Sequence, residues 1–241
     1  MRKEFNINFY KDKYMDLFLP DTEEFYTIIH FHGGGLVEGD KGDTHEYCKH
    51  LVNAGFAVYT ANYSLYPNAK FPDYLIDAVE AVKYAKNHIS RFGKSKGFIV
   101  SGQSAGAWIT LMLCFNKDLG VNNEDIVGWI SDSAQPTSHF HIIEIEQGLD
   151  PSIMKIDQTA PLYYLNKKTR FSNLLLMCYE NDLPNRLTQN NLLVSAIKAL
   201  NKKAKLTYKV LSGEHCAGSS KLDADGEYAT IKEIKEWVKT L

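Results

Sequence analysis

A serine with glycines two positions before and two positions after it occurs in Gly102-Gln103-Ser104-Ala105-Gly106, between an apolar run and a helical run. A serine hydroxyl is a weak nucleophile, and enzymes that use one raise it on a tight strand-to-helix turn within reach of a base. Gly102 and Gly106 would let the strand and helix approach each other while Ser104 adopts a strained backbone conformation. The pattern therefore predicts a nucleophile elbow and acyl-transfer chemistry. A glycine-rich turn whose serine caps the helix is the alternative.

An acyl-transfer serine needs a base, and His215 is the best candidate. It follows the last predicted strand and precedes the last predicted helix, so the carboxyl edge of a parallel sheet would bring it over Ser104. The competing histidines fall in a predicted strand, in predicted helices or in a long loop, and they are His30, His45, His50, His88, His139 and His141.

The base needs an orienting acid at the end of the preceding strand. Asp182 follows the apolar run 174–179, and the order Ser104, Asp182, His215 is the order expected for an α/β-hydrolase. Asp132, which follows the strand before that one, is the rival, and Glu180 is a third possibility. Either rival could equally be a solvated loop carboxylate or a helix cap.

The run His32-Gly33-Gly34-Gly35 follows another predicted strand. Glycines let backbone N–H groups turn towards a developing oxyanion, so Gly33, Gly34 and Ala105 are the predicted donors. A plain turn is the alternative. A phosphate-binding loop is disfavoured because the glycine-rich stretch runs on into Asp40-Lys41 rather than a Lys-Ser or Lys-Thr pair.

The elements that would position these residues alternate between strands and helices, which predicts an α/β fold with a mostly parallel central sheet and helices on both faces. Strands are expected at 25–31, 55–61, 98–100, 126–131, 172–179 and 206–211, and helices at 43–54, after 71–72, at 107–113, at 186–200 and at the C-terminus. The helix after Ser104 is expected to be amphipathic. A hairpin of two edge strands is expected at 4–9 and 14–19.

Residues 132–170 separate two predicted strands without a clean helical period, which is typical of a lid or binding element. We therefore expect one domain over 1–241 with a lid-like insertion at 132–170. His139 and His141 have the spacing of metal ligands, but no further Cys or His pattern accompanies them, so no metal is predicted. Cys216 has no elbow of its own and is not expected to be a nucleophile.

Composition excludes several classes of partner. The chain has 241 residues and a formal net charge of -2, and it lacks the basic runs that track a phosphate backbone, so nucleic acid is not an expected partner. No apolar window is long enough for a membrane span and no secretory leader is visible, so a cytoplasmic location is expected. The four scattered cysteines are expected to be reduced. Composition does not predict the oligomeric state.

Taken together, these motifs resemble the α/β-hydrolase esterase/lipase family with the His-Gly-Gly-Gly oxyanion motif, which is related to acetyl esterases and the hormone-sensitive-lipase group. The resemblance also covers Gly39-Asp40, the stretch 63–67 with Phe71-Pro72, Asp77 and the stretch 160–162. Ser64, Gln103 and Ala107 depart from the family pattern. The resemblance implies supporting roles for the remaining motif residues, which are His32, Gly35, Gly102, Gln103 and Gly106.

The predicted function is that of a carboxylic ester hydrolase: a cofactor-independent serine esterase that forms an acyl-enzyme on a small ester. An amide or formamide hydrolase and a peptidase are alternatives on the same fold, and an inactive binding module is the alternative from another class. Acetyl to butyryl esters are the expected substrates, because the apolar residues of 132–170 would close only a small pocket. The scattered ones are Phe140, Ile142, Ile143, Ile145, Ile153, Met154 and Ile156, and Leu162, Tyr163, Tyr164 and Leu165 follow at the end of the segment.

Overall fold

A computed structural model describes residues 1–121 and 124–241. Its strands are β1 (Arg2–Tyr10), β2 (Lys13–Leu19), β3 (Glu24–Phe31), β4 (Ala57–Ala61), β5 (Lys94–Gln103), β6 (Ile126–Asp132), β7 (Asn173–Asn181) and β8 (Leu206–Glu214). Its helices are α1 (His45–Asn53), α2 (Asp73–His88), α3 (Ala105–Phe115), α4 (Arg186–Leu200), α5 (Ala217–Ser220) and α6 (Ala229–Trp237). The described part of the chain contains no helix that is both long and apolar enough to cross a bilayer.

The strands form one eight-stranded sheet in the order β1-β2-β4-β3-β5-β6-β7-β8. β1 pairs antiparallel with β2, and β2 pairs antiparallel with β4. The remaining pairs are parallel, so the carboxyl ends of β3 to β8 meet at one edge of the sheet. The predicted α/β fold with a mostly parallel sheet is confirmed.

The expectation that both strands of the first hairpin lie at an edge is wrong for β2. β2 lies between β1 and β4, and residues Met15 to Leu19 are all buried. A strand whose two faces are both covered carries apolar side chains on both, which explains why the alternation in this stretch is imperfect. β1 alone occupies that edge.

Helices cover both faces of the sheet. One core joins the sheet to α2, α3 and α4, and its side chains include Leu75, Trp108 and Leu193. The other core joins the opposite face to α1 and α6, and it includes Leu51 and Ile231. The helices predicted for both faces of the sheet are therefore present, and with the sheet they form three layers.

The helix after Ser104 is not amphipathic, contrary to expectation, because every residue of α3 is buried. Its side away from the sheet is covered by the long segment between β6 and β7. The indole Nε1 of Trp108 donates a hydrogen bond to the carbonyl oxygen of Thr159 in that segment, at 3.2 Å. A helix enclosed in this way has no polar stripe to present to solvent.

Candidate active site

Ser104 lies at the turn between β5 and α3, in a backbone conformation with φ 53° and ψ -115°. A non-glycine residue rarely adopts a positive φ, and such strain marks sites where geometry matters. The two flanking glycines make the turn possible. A Cβ on Gly102 would lie 2.2 Å from the carbonyl carbon of Gly106, and one on Gly106 would lie 2.1 Å from the carbonyl oxygen of Phe31.

His215 follows β8 and lies between Ser104 and Asp182. Its Nε2 is 2.8 Å from Ser104 Oγ, and its Nδ1 is 2.5 Å from Asp182 Oδ1. A carboxylate can only accept, so Nδ1 carries the proton and the lone pair of Nε2 faces the serine hydroxyl. In this tautomer His215 can take the proton of Ser104.

The carboxylate of Asp182 is almost completely buried, with a side chain 1% exposed. Burial opposes its ionisation, but hydrogen bonds from His215, Ser133 and the backbone N–H of Leu183 outweigh that cost and hold the pKa of Asp182 below its usual value. Its charge is thus available to stabilise a protonated imidazole.

The two rival carboxylates do not contact His215 by hydrogen bonds. Asp132 is buried on β6, where its Oδ2 accepts a hydrogen bond from Ser219 Oγ and its Oδ1 has no partner among the described residues. Burial raises the pKa of Asp132 to about 6. Glu180 is exposed on β7. Asp182 is therefore the carboxylate that the fold brings to the imidazole.

The backbone N–H groups of Gly33, Gly34 and Ala105 have no acceptor in the described part of the chain. Ala105 is the first residue of α3, where the helix leaves its N–H groups unpaired. Gly33 approaches the nucleophile so closely that a Cβ there would lie 3.3 Å from Ser104 Cβ. Gly34 has φ +108°, which favours glycine.

The run His32-Gly33-Gly34-Gly35, called the glycine run below, is supported by the loop that follows β4. Tyr63 stacks on the His32 ring and donates its hydroxyl proton to the carbonyl oxygen of His32 at 2.9 Å. The carboxylate of Asp77 accepts from the backbone N–H of Ser64 at 2.8 Å and fixes that loop to α2. Burial lowers the pKa of His32, so its ring is a neutral support. Tyr63 and Asp77, which lie in stretches that match the family, therefore both help to support the glycine run.

Sequence reasoning missed Ser133, the first residue after β6. Its hydroxyl donates to Asp182 Oδ2 and lies 2.8 Å from His215 Nδ1. Nothing in the pattern Ser131-Asp132-Ser133 distinguishes this hydroxyl from its neighbour, because the contact depends on a positive φ of 63° at Ser133. A side chain that turns out of the strand alternation cannot be placed by periodicity.

A cleft of roughly 300 Å³ opens beside the glycine run. Its lining consists of His32, Gly33, Gly34, Glu38, Gly39, Asp43, Thr44 and Gln103. Two of these residues are acidic, and the side-chain Oε1 of Gln103 has no partner among the described residues. The lining of the cleft therefore has an acidic character.

His139 and His141 are core residues. The His139 ring stacks on Phe140 and packs in a T-shaped arrangement with Trp108, and the His141 ring packs in the same way with Tyr66. Burial lowers the pKa of both rings. In the described ranges, no three His, Cys, Asp or Glu side chains are grouped as a metal site would require. Cys216 is buried, and burial raises the pKa of its thiol.

The scattered apolar residues between 140 and 156 do not all face the site, contrary to expectation. Ile142 and Ile143 are buried, and Phe140 is the member nearest the glycine run, with its ring 3.5 Å from where a Cβ on Gly35 would lie. The other four are 44% to 49% exposed and point to solvent; they are Ile145, Ile153, Met154 and Ile156. These four side chains, between positions 145 and 156, therefore lie on the outside of the molecule, whereas Thr159 and Ala160 further along the segment are buried.

An eight-stranded sheet with a serine elbow after β5, an acid after β7 and a histidine after β8 defines the α/β-hydrolase class. Within that class, the chain belongs to the BD-FAE family, whose model matches residues 15–176. The predicted relationship to α/β-hydrolases of the esterase type is confirmed.

Curated relatives match over part of their length. Esterase LipI of Mycobacterium tuberculosis is 36% identical over 105 residues, which are 42% of this chain and 32% of that protein. An acetyl esterase of Salmonella paratyphi B is 31% identical over 107 residues, with the same shares of the two chains. Each match covers about a third of the relative's length.

Solved structures match over nearly the whole chain. Esterase B from Lactobacillus rhamnosis has a TM-score of 0.81 at 16% identity, covering 99% of this chain and 85% of that one. A hyperthermophilic esterase from Pyrobaculum calidifontis has a TM-score of 0.78 at 18% identity, with the same coverage. At this level of identity the likeness establishes the fold.

Proposed function

We propose that the protein is a serine hydrolase of small carboxylic esters that works through an acyl-enzyme. The observation that carries the proposal is the chain of hydrogen bonds in which His215 joins Ser104 Oγ, at 2.8 Å, to the buried carboxylate of Asp182, at 2.5 Å. An activated serine next to unpaired backbone donors is the arrangement that acyl transfer requires.

The reaction follows from that geometry. Ser104 Oγ attacks the ester carbonyl carbon while His215 Nε2 takes the hydroxyl proton, and the carbonyl electrons move to an oxyanion that the N–H groups of the glycine run would stabilise. When the intermediate collapses, His215 returns the proton to the leaving alkoxide and an acyl-Ser104 ester remains. Water then attacks this ester by the same route and releases the acid.

The family and the names of the relatives support esters over other acyl compounds. The relatives from Mycobacterium and Salmonella are named an esterase and an acetyl esterase. A short acyl chain is the finer part of the proposal. Its support is the position of Phe140, which faces Gly35 and limits the space beside the glycine run.

The test is labelling by a fluorophosphonate probe, which reacts only with an activated serine. We expect the wild type to be labelled and to hydrolyse p-nitrophenyl acetate, and Ser104→Ala to lose both properties while its unfolding transition is unchanged. Ser101→Ala is the matched control, because Ser101 is a buried serine of β5, three residues before Ser104, and its replacement should keep labelling and activity.

Three results would contradict the proposal. Labelling that survives in Ser104→Ala would mean that another residue is the nucleophile. A wild type that is folded but not labelled would indicate a binding module on a hydrolase fold. A kcat/KM for an N-formyl aryl amine that exceeds the value for the acetyl ester would indicate a formamide hydrolase.

A further inference from the structure

Ser133 touches both members of the acid–base pair. Its hydroxyl donates to Asp182 Oδ2, and the same oxygen lies 2.8 Å from Nδ1 of His215. Nδ1 is also 2.5 Å from Asp182 Oδ1. The three side chains therefore form a closed triangle behind the imidazole, on the side away from Ser104.

Counting protons fixes the direction of each bond in this triangle. The Ser133 hydroxyl has one proton, and a carboxylate can only accept, so the proton lies on the bond to Asp182 Oδ2. The lone pairs of Ser133 Oγ then face Nδ1. The Nδ1–H group thus donates a bifurcated hydrogen bond to Asp182 Oδ1 and Ser133 Oγ. Only the tautomer with a proton on Nδ1 satisfies all three contacts.

The triangle also fixes the plane of the carboxylate. Asp182 Oδ1 accepts from His215 and from the backbone N–H of Leu183, at 2.7 Å, while Oδ2 is held by Ser133. Rotation of the carboxylate would break bonds at both oxygens. Without the Ser133 hydroxyl, Oδ2 would keep only its contact with the Cys178 thiol, a weak donor at 3.4 Å. The carboxylate would then be restrained much less.

Ser133 is itself held in place by strong local support. Its φ of 63° costs a non-glycine residue roughly 1–2 kcal/mol. Its backbone N–H donates to the carbonyl oxygen of Met177 at 2.9 Å, and its own carbonyl oxygen accepts from Arg186 Nη1 at 3.0 Å. Asn190 Nδ2 donates to the carbonyl oxygen of Ala134 at 3.0 Å. Two buried side chains of α4 thus fix the strained turn that aims the hydroxyl.

We propose that Ser133 is a positioning residue of the active site, which holds the carboxylate of Asp182 in the plane of the His215 ring and keeps the proton of that ring on Nδ1. It acts through Asp182 and His215 and has no bond to Ser104. The proposal rests on the proposed function for its kinetic consequences. Because its contacts are with Asp182 and His215 on the side away from Ser104, we expect its loss to lower kcat and to leave KM unchanged.

The experiment compares Ser133→Ala and Ser133→Gly with Ser131→Ala. Both Ser133 variants remove the hydroxyl, but glycine relieves the positive φ and alanine does not. Ser131 is buried on β6, two residues away, and its Oγ has no partner among the described residues, so its replacement is a matched control. Hydrogen-bond partners that orient a metal-binding histidine are worth about 10- to 100-fold in affinity or activity, and we expect an effect of similar size for the orientation of His215.

We expect both Ser133 variants to lose about 10- to 100-fold in kcat for p-nitrophenyl acetate with KM within about twofold of the wild type, and Ser131→Ala to behave as the wild type. Proton NMR of protein labelled with nitrogen-15 histidine is a second measurement, and it does not depend on enzymatic turnover. The downfield Nδ1–H resonance of His215 should be present in the wild type and in Ser131→Ala, and shifted or lost in both Ser133 variants.

Two results would overturn the proposal. The first is an Nδ1–H resonance and a kcat in Ser133→Ala that match those of Ser131→Ala. The second is recovery of kcat in Ser133→Gly, which would assign the effect to the backbone turn and not to the hydroxyl. A wild type that lacks esterase activity but shows the predicted resonance changes would refute the proposed function and leave the positioning role standing.

Discussion

The backbone of Gly106 lies against the carbonyl oxygen of Phe31, so that a Cβ on Gly106 would come within 2.1 Å of that oxygen. Phe31 is the last residue of β3, and the glycine run follows it directly. One backbone contact therefore sets the distance between the elbow that carries Ser104 and the loop that would bind the oxyanion.

We expect Gly106→Ala to be severely destabilising, because neither partner in this contact is a flexible side chain. A loss above about 3 kcal/mol in the free energy of unfolding is the expected result. Gly148→Ala is the comparison, since its φ is +66° but nothing lies within 4 Å of the added Cβ, and it should cost only about 1–2 kcal/mol. Urea denaturation measures both, and equal losses would contradict the close contact.

Replacing the two buried carboxylates distinguishes their roles. Asp182→Asn should lower kcat by about 10⁴-fold, because the imidazole loses its tautomer and the charge that stabilises its protonated form. Asp132→Asn should cost less than about tenfold, since Asp132 bonds Ser219 and not His215. The measurement is kcat for p-nitrophenyl acetate, and the assignment of the acid is wrong if Asp132→Asn proves the more damaging.

Buried neutral histidines should make the fold sensitive to acid. Burial lowers the pKa of His30 to about 3 from 6.5, so between these values the unfolded chain holds one proton more than the folded one. The corresponding stability is complete above pH 6.5 and is lost as the pH falls towards 3. Each such proton contributes a slope of about 1.4 kcal/mol per pH unit to the free energy of unfolding.

His30→Gln should lower the pH dependence of the free energy of unfolding by about 1.4 kcal/mol per pH unit between pH 4 and pH 6. Urea denaturation at each pH measures this dependence. Ser101→Ala is the control, because it deletes the hydroxyl that lies 3.1 Å from His30 Nδ1 but leaves the titrating ring in place. Its slope should match the wild type even if its stability is lower. A His30→Gln slope equal to that of the wild type would mean that the ring titrates alike in both states.

Acyl-chain preference tests the finer part of the proposed function. Each methylene that enters an apolar pocket gains about 0.8 kcal/mol, so kcat/KM should rise over the first few carbons and fall once the chain outgrows the space beside Phe140. The measurement is kcat/KM for p-nitrophenyl esters of two to sixteen carbons, with the expected maximum at two to four. A maximum at twelve or more would assign a role to the exposed apolar residues at 145–156.

The sequence predicted the parts of this molecule that repeat at a fixed period or stand in a fixed motif. The apolar runs of β5 and β7, the helix 186–200 and the residues at the carboxyl ends of the strands all follow from local pattern. The chain order of Ser104, Asp182 and His215 then needs only the rule that parallel strands end together at one edge of a sheet.

Long-range contacts were harder to predict from the sequence. The interior position of β2 depends on its pairing with β4, and the burial of α3 depends on cover from a segment about fifty residues away, through Thr159. The contact of Ser133 with Asp182 depends on a single backbone angle. Local propensity contains no information about any of these three.

The acidic cleft beside the glycine run has a consequence for the end of the proposed reaction. In the proposed reaction the ester group is uncharged but its hydrolysis produces a carboxylate, and the lining of this cleft includes the acidic residues Glu38 and Asp43. Like charges repel, and the His32 ring is neutral, so it does not offset that repulsion. We therefore expect the product acid to bind weakly, so that added acetate inhibits turnover only weakly even at high concentration.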